Sequence, residues 1–245
     1  MAGFDEWVAD LEARHLADLT FPEVSRSLRA LSSGYVERRT RLTDGAPLAG
    51  RGKRAAFALF YGPLHFLIVR HITTSLPGPQ GASGTLVDLG CGTGAAGAAW
   101  ATITSSRASI LGLDRNRWAV DEARQTYKAF GLQARTRVDD LARATAPDRS
   151  SILAAFAVNE LTDDARTALL ARFLEHASRG GHVLVIEPIA TSIAPWWGGW
   201  RRAFEAAGGR ADEWRTRIPL PPIVEKLDRA AGLNHRELTA RSLWL

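Results

Sequence analysis

Apolar positions recur at helical spacing over the first part of the chain. Phe4, Trp7, Val8, Leu11 and His15/Leu16 form one such set, and Val24, Leu28, Leu31 and Tyr35 form a second. A loop around Asp44-Gly45-Ala46-Pro47 follows. Next comes a long apolar helix from Lys53 to about Ser75, in which Pro63 removes a backbone donor and predicts a kink. Pro77-Gly78-Pro79-Gln80-Gly81 reads as a linker. Beyond it, short apolar runs at Thr85–Leu89, Ser109–Leu113, Ala134–Val138, Ile152–Val158 and His182–Glu187 alternate with helical patterns near 95–104, 116–130 and 163–178. Such alternation predicts parallel strands with helices on both faces. Helices over 195–207 and 221–231 and a last strand over Glu237–Leu245 complete the pattern. The expectation is an α/β fold: a doubly wound, mostly parallel sheet over 81–245, preceded by an α-helical N-terminal cap over 1–80. With one clear strand after the 221–231 helix, no closing hairpin is expected.

Composition narrows the function classes. A chain of 245 residues, 46% of them hydrophobic, can bury a core without cross-links. The single cysteine excludes a disulfide framework or a multi-cysteine zinc site and suits a reducing compartment. The six histidines show no metal-ligand spacing, so no metal is expected. The acidic, amphipathic opening MAGFDEWVADL is unlike a signal peptide. The most apolar stretch, Ala55 to Val69, is broken by Gly62, Pro63 and His65 and is short of a membrane span. A cytoplasmic protein without membrane insertion is expected. Of the 31 basic residues 28 are arginine, and the net charge is +5. Residues 1–25 carry −5 and residues 26–54 carry +6. The basic stretch suits either a phosphate-bearing partner or a solvated helix face.

The chemistry concentrates in Val87-Asp88-Leu89-Gly90-Cys91-Gly92-Thr93-Gly94, between the first strand and the first helix of the α/β part. Glycines at 90, 92 and 94 let the backbone turn sharply and a ligand approach closely. Asp114 closes the second strand 20 residues after Gly94, where a carboxylate can accept both hydroxyls of a ribose. Gly94 is followed by Ala95-Ala96 and not by the Lys-Ser/Thr of a phosphate loop. Asp88 would repel a pyrophosphate but could pair, directly or through water, with an ammonium group. A ligand with a ribose, an adenine and a cationic amino acid fits these residues.

The stretch VDLGCGTG, with Asp114 after the second strand, resembles motif I of the class I S-adenosylmethionine-dependent methyltransferases, and the resemblance covers roughly 85–190. It implies a Rossmann-like sheet of order 3-2-1-4-5 with further C-terminal strands and S-adenosylmethionine across the strand ends. It also implies that Asp88 lies near the methionine part, that Gly90, Cys91, Gly92 and Gly94 wrap it, and that Asp114 holds the ribose. Arg115 or Asn116 would flank the adenine. Asp139 or Asp140, with Leu141, would meet the adenine amino group, and Asn159 would sit beneath the sulfonium. The fourth strand ends in Val158-Asn159-Glu160-Leu161 and not in the Asn/Asp-Pro-Pro-Tyr run of amide and base methylators. A fainter similarity, on Asn159-Glu160-Leu161, Val185-Ile186-Glu187-Pro188 and the helical N-terminus, is to the mitochondrial small-ribosomal-subunit assembly methyltransferase-like family, whose cysteine clusters are absent here.

Candidates for acceptor chemistry are Glu160 and Glu187 at strand ends, and Tyr61 and His65, spaced to share one face of the cap helix. For each, the alternative is an ordinary structural role as cap, ion pair or packing residue. Tyr35 is a further cap candidate. Trp196, Trp197 and Trp200 could enclose a planar substrate or pack on the sheet, and Trp118 could cover the adenine. Cys91 has no histidine partner and reads as a small packing residue. The expected activity is methyl transfer to a small-molecule acceptor. RNA methylation through the basic 26–54 stretch and a non-catalytic, cofactor-binding assembly role are the alternatives.

Overall fold

The structure, a computed structural model, describes residues 2–37, 48–78, 84–104, 108–190 and 194–245. The loop expected around 44–47, most of the linker after Pro77, Arg38 and Arg39, and the Tyr35 side chain lie outside the described residues. Amphipathic spacing yields α1 (Ala2–His15) and α2 (Phe21–Glu37). The long apolar run becomes α3 (Arg51–Ala56), a π-helical turn (Phe57–Tyr61) and α4 (Gly62–Ser75). Pro63 explains the interruption: it has no N–H for the preceding turn, and the Gly62 N–H reaches back five residues to the Phe57 carbonyl. Helical structure over Arg51–Ser75 is thus 25 residues, longer than the apolar stretch suggested and long enough to cross a membrane. In this fold 72% of its most apolar window is buried inside the protein, so it packs as a core helix.

The α/β part runs β1 (Thr85–Leu89), α5 (Ala95–Ala101), β2 (Ser109–Asp114), α6 (Arg117–Ala129), β3 (Ala134–Val138), β4 (Ser151–Ala155), α7 (Asp163–Ser178), β5 (His182–Glu187), α8 (Trp197–Ala206), β6 (Arg210–Thr216), α9 (Pro222–Ala230) and β7 (Leu238–Trp244). The seven strands form one sheet of order β3-β2-β1-β4-β5-β7-β6. The first five are parallel, and β7 runs antiparallel between β5 and β6. This corrects the expectation of a missing closing hairpin. β6 pairs with β7 from Arg210↔Trp244 to Thr216↔Leu238.

Each sheet face has its own apolar cluster, as a doubly wound sheet requires. One joins α1, α2, α4, α5 and α9 to the sheet through residues such as Leu11, Leu28, Phe60, Ile72, Trp100 and Val224. The other joins α7 and α8 through Leu169, Phe173, Trp200 and Phe204. The cap is tied to α6 by rings, with Phe66 stacked 5.0 Å from Phe130 and Trp7 5.5 Å from Phe130. It is also tied by charge: Arg14 grips Glu122 at 2.6 Å and His15 lies 3.2 Å from the same carboxylate. Burial alone would raise the Glu122 carboxyl, but the bonds from His15 and Arg14 outweigh it and hold it at about 2.

Candidate functional site

The loop after β1 is built from three residues that only glycine serves well. Gly90, Gly92 and Gly94 have φ of +69°, +51° and +78°, in the left-handed region. A Cβ on Gly90 would stand 2.6 Å from that of Ala157, and one on Gly94 would stand 2.9 Å from the Ala123 backbone. One glycine therefore lets the end of β4 close on the loop, and the other seats α5 against α6. Gly92 is different, because its nearest neighbour would be Phe57 at 3.8 Å, which leaves that side of the loop room for a ligand. The N–H groups of Gly90 and Cys91 both donate to the Leu113 carbonyl at 2.8 and 2.9 Å, so the loop hangs from the end of β2.

Asp114 ties the same two ends together. Its carboxylate accepts the Gly92 N–H at 2.9 Å and the Asn116 N–H at 2.8 Å, one on each oxygen. Burial raises its pKa while those bonds oppose the rise. Each oxygen keeps a lone pair, so the group can still accept a pair of hydroxyls. Asn116 spends its side-chain oxygen capping α6, on the Ala119 N–H at 3.3 Å. Arg115 pairs with Glu160 at 3.1 Å across the ends of β2 and β4. Burial pushes the Glu160 carboxyl up, and Arg115 pulls it back.

Asp88 lies beneath the loop and is 1% exposed. One oxygen accepts the Gly97 N–H at 3.0 Å and the Tyr127 hydroxyl at 2.9 Å. The other oxygen is buried without a hydrogen-bond partner. Burial lifts this carboxyl to about 7 against the two donors. Asp88 thus braces the loop against α5 and α6, and its second oxygen is the group left for a ligand or water to satisfy. Cys91 is buried in the same cluster, its sulfur beneath Gly112, and burial raises its thiol.

At the end of β3, Asp139 bonds Arg137, which leads in holding its carboxyl low, and accepts the Asp140 N–H at 2.8 Å. Asp140 in turn caps the Ala142 N–H at 2.9 Å and is exposed. Leu141 is half-buried against the second core, and its carbonyl accepts from Arg172 at 3.3 Å.

The end of β4 carries a strained residue, Phe156, at φ +58°. A bulky side chain takes this conformation only under constraint. Its N–H is held by the Ile186 carbonyl at 2.7 Å, and its ring stacks on His65 at 4.2 Å. His65 lies 6.0 Å from Tyr61 and 6.3 Å from Phe57. Phe57, Tyr61, His65 and Phe156 thus make one aromatic wall between the cap and the end of β4, with Phe57 beside Gly92. Burial pushes His65 down to about 4, so it is neutral at pH 7, and pushes Tyr61 up to about 12.

Asn159 is bonded at both ends of its amide. Its amide nitrogen donates to Glu187, and its oxygen accepts from Trp196 Nε1 at 3.0 Å. Glu187 also accepts the Val158 N–H at 2.9 Å and the Asn159 N–H at 3.2 Å. Burial lifts Glu187 to about 8 in spite of these donors. Glu187 is therefore a strut beneath the β4 end. Trp196, Trp197 and Trp200 pack together, with ring centroids 5.6 and 4.9 Å apart about Trp196. Trp118 lies towards the cap, with Arg54 5.7 Å above its ring.

The structure brings the glycine loop, Asp114, Arg115, Glu160, Tyr61 and His65 to the crevice end of the sheet and keeps Asp88 and Cys91 beneath it. Sequence reasoning missed Phe57, Phe156 and Tyr127. Phe57 precedes Tyr61 by four residues, so extending the Tyr61/His65 face by one turn would have found it. No local signal marks the other two.

Residues 86–181 match a family described as the methyltransferase domain. Over 92 residues the chain is 38% identical to a ribosomal RNA large subunit methyltransferase G of Streptomyces avermitilis. That match covers 37% of this chain and spans about a quarter of the relative's length (24%). Among solved structures, an S-adenosylmethionine-dependent methyltransferase of Leishmania major is 14% identical, covering 91% of this chain and 82% of that one at a TM-score of 0.51. The mitomycin 7-O-methyltransferase is 17% identical, covering 97% and 71% at a TM-score of 0.53. These two likenesses are of fold.

Proposed function

We propose that this chain, which belongs to the class I S-adenosylmethionine-dependent methyltransferase superfamily, transfers a methyl group to a small-molecule acceptor. The observation that carries the reading is the Gly92 N–H on Asp114, which joins a left-handed glycine loop to a carboxylate with lone pairs to spare. The residues fit the donor: Gly92 leaves an open side on the loop, Asp114 can take a ribose, and Asp88 keeps an unpartnered oxygen below. When bound, S-adenosylmethionine supplies a methyl group made electrophilic by its sulfonium.

The chain's own residues then have three tasks. Asp114 and the loop hold the donor. The wall of Phe57, Tyr61, His65 and Phe156 excludes water and offers flat apolar surface to an acceptor. Glu160, whose carboxyl burial pushes up, is the group to take a proton from an acceptor that must lose one, while His65, held down to about 4, is a weak base and with Tyr61 beside it serves as a hydrogen-bond partner that positions the acceptor.

RNA methylation is the second reading. It is favoured by the match to a ribosomal RNA methyltransferase and by the charge of residues 26–54. Incubating the protein with a tritium-labelled donor and cell extract separates the two. Label in a solvent-extractable, ribonuclease-resistant fraction supports the small-molecule reading. Ribonuclease-sensitive label overturns it in favour of RNA. Donor binding without label transfer overturns both in favour of a cofactor-binding assembly role.

A further inference from the structure

On the far side of β5 stands a buried cation with two nitrogens that no acceptor satisfies. Arg241 on β7 is 3% exposed, and neither its Nε nor its Nη2 has a hydrogen-bond partner among the described residues. These two nitrogens form one edge of the guanidinium, the edge that takes a carboxylate side-on through two parallel bonds. The guanidinium lies 4.3 Å over the Trp197 ring, which fixes its plane. Its register neighbours are Glu187 on β5 and Glu213 on β6. Both attract the guanidinium through space, but neither accepts a hydrogen bond from it: Glu187 is occupied by the Val158 and Asn159 donors, and Glu213 is exposed. A second cation borders the same tryptophans. Arg166, 6.0 Å from the Trp196 ring, has a buried and unpartnered Nε although its other nitrogens bond Leu161 and Asp163.

We infer that the Arg241 edge beneath Trp196 and Trp197 is the subsite for a carboxylate carried by the acceptor, which is therefore a small planar acid. Burial outweighs the pull of the two carboxylates, and the Nε/Nη2 edge is left without acceptors, a cost that a bidentate anion would remove. The subsite adjoins the crevice, because Trp196 donates to Asn159 at the end of β4. Its enclosure fits a small acid and not a polymer backbone: Trp197 is 9% exposed. α8 begins Trp197-Gly198-Gly199-Trp200, and a Cβ on Gly199 would meet nothing within 4 Å, so packing does not require the glycine there. Two weak helix formers thus stand in the first turn of α8, beside Trp196 and Trp197.

The acceptor assignment rests on the methyltransferase reading, and the test separates the two. Salicylate and salicylamide are planar probes of equal shape that differ in charge. Titrated against the wild-type protein with tryptophan fluorescence and calorimetry as readouts, salicylate is expected to bind at least about tenfold more tightly. Arg241→Met is expected to bring the ratio close to one, and Arg241→Lys to restore part of it, while both bind S-adenosylmethionine as the wild type does. Equal or absent binding of the two probes, or a preference that survives Arg241→Met, overturns the subsite. Should Arg241→Met fail to fold, the wild-type Tm decides: a greater rise with salicylate than with salicylamide supports the subsite, and equal shifts overturn it. Displacement of salicylate by a short RNA oligonucleotide also overturns the assignment to a small acid. Salicylate preference without S-adenosylmethionine binding would sink the methyltransferase reading alone, and donor binding without the preference would sink the subsite alone.

Discussion

Replacing Gly94 with alanine tests whether the loop's shape depends on contact as well as on backbone freedom. At φ +78° an alanine pays for a left-handed backbone, about 1–2 kcal/mol. Its Cβ would also lie 2.9 Å from Ala123 Cα and 3.1 Å from the Ala123 oxygen, and both atoms are backbone that cannot rotate away. α5 and α6 must then part, which adds about 1–3 kcal/mol of overpacking. Gly131→Ala is the control, because that residue has φ +65° and nothing within 4 Å of its added Cβ. The gain from a stiffer unfolded chain, about 0.4–1 kcal/mol, is common to both variants and cancels in the comparison. Urea unfolding should therefore show Gly94→Ala less stable than Gly131→Ala by about 1–3 kcal/mol. Donor affinity should fall with it, since Gly92 shares the loop. Equal losses in the two variants would refute the claim that helix contact shapes this loop.

Glu122, held at about 2 against an ordinary 4.5, favours the folded state in its ionised form. That contribution, about 3 kcal/mol, is complete above pH 4.5 and is lost as pH falls towards 2, so acid unfolding of Glu122→Gln should show a flatter slope in that window. Phe156→Gly should be more stable than Phe156→Ala by about 1 kcal/mol in urea, the reverse of the usual order, because φ is +58° there. Asp139→Ala, which breaks an exposed pair with Arg137, should change stability by no more than about 1 kcal/mol. Asp114→Asn keeps the shape of the carboxylate but removes its charge, and calorimetry should show weaker donor binding.

The central parallel strands were legible as short apolar runs, buried throughout or nearly so in Ser151–Ala155 and His182–Glu187, while the exposed edge strand Ala134–Val138 was placed by its position in the alternation of strands and helices. β6 was not. Its sequence RADEWRT carries four charges and lies at the sheet edge, where solvent takes one side and alternation fades. The glycine loop and Asp114 could be placed because their spacing is local to one strand-turn-helix unit. The brace of Tyr127 on Asp88 and the clasp of Arg14 on Glu122 join residues 39 and 108 apart, and no periodicity links positions so distant. The π-helical turn at Phe57–Tyr61 was half legible: Pro63 marked an interruption, but whether the helix kinks or widens depends on what packs against it.

The central claim is that the crevice holds S-adenosylmethionine through Asp114 and the loop. Calorimetric titration of the wild type and Asp114→Asn with S-adenosylmethionine, its demethylated product and NAD tests it most directly. The account predicts that the first two bind the wild type, that both weaken by about tenfold or more in Asp114→Asn, and that NAD does not bind. Binding of NAD alone, or of none of the three, would contradict it.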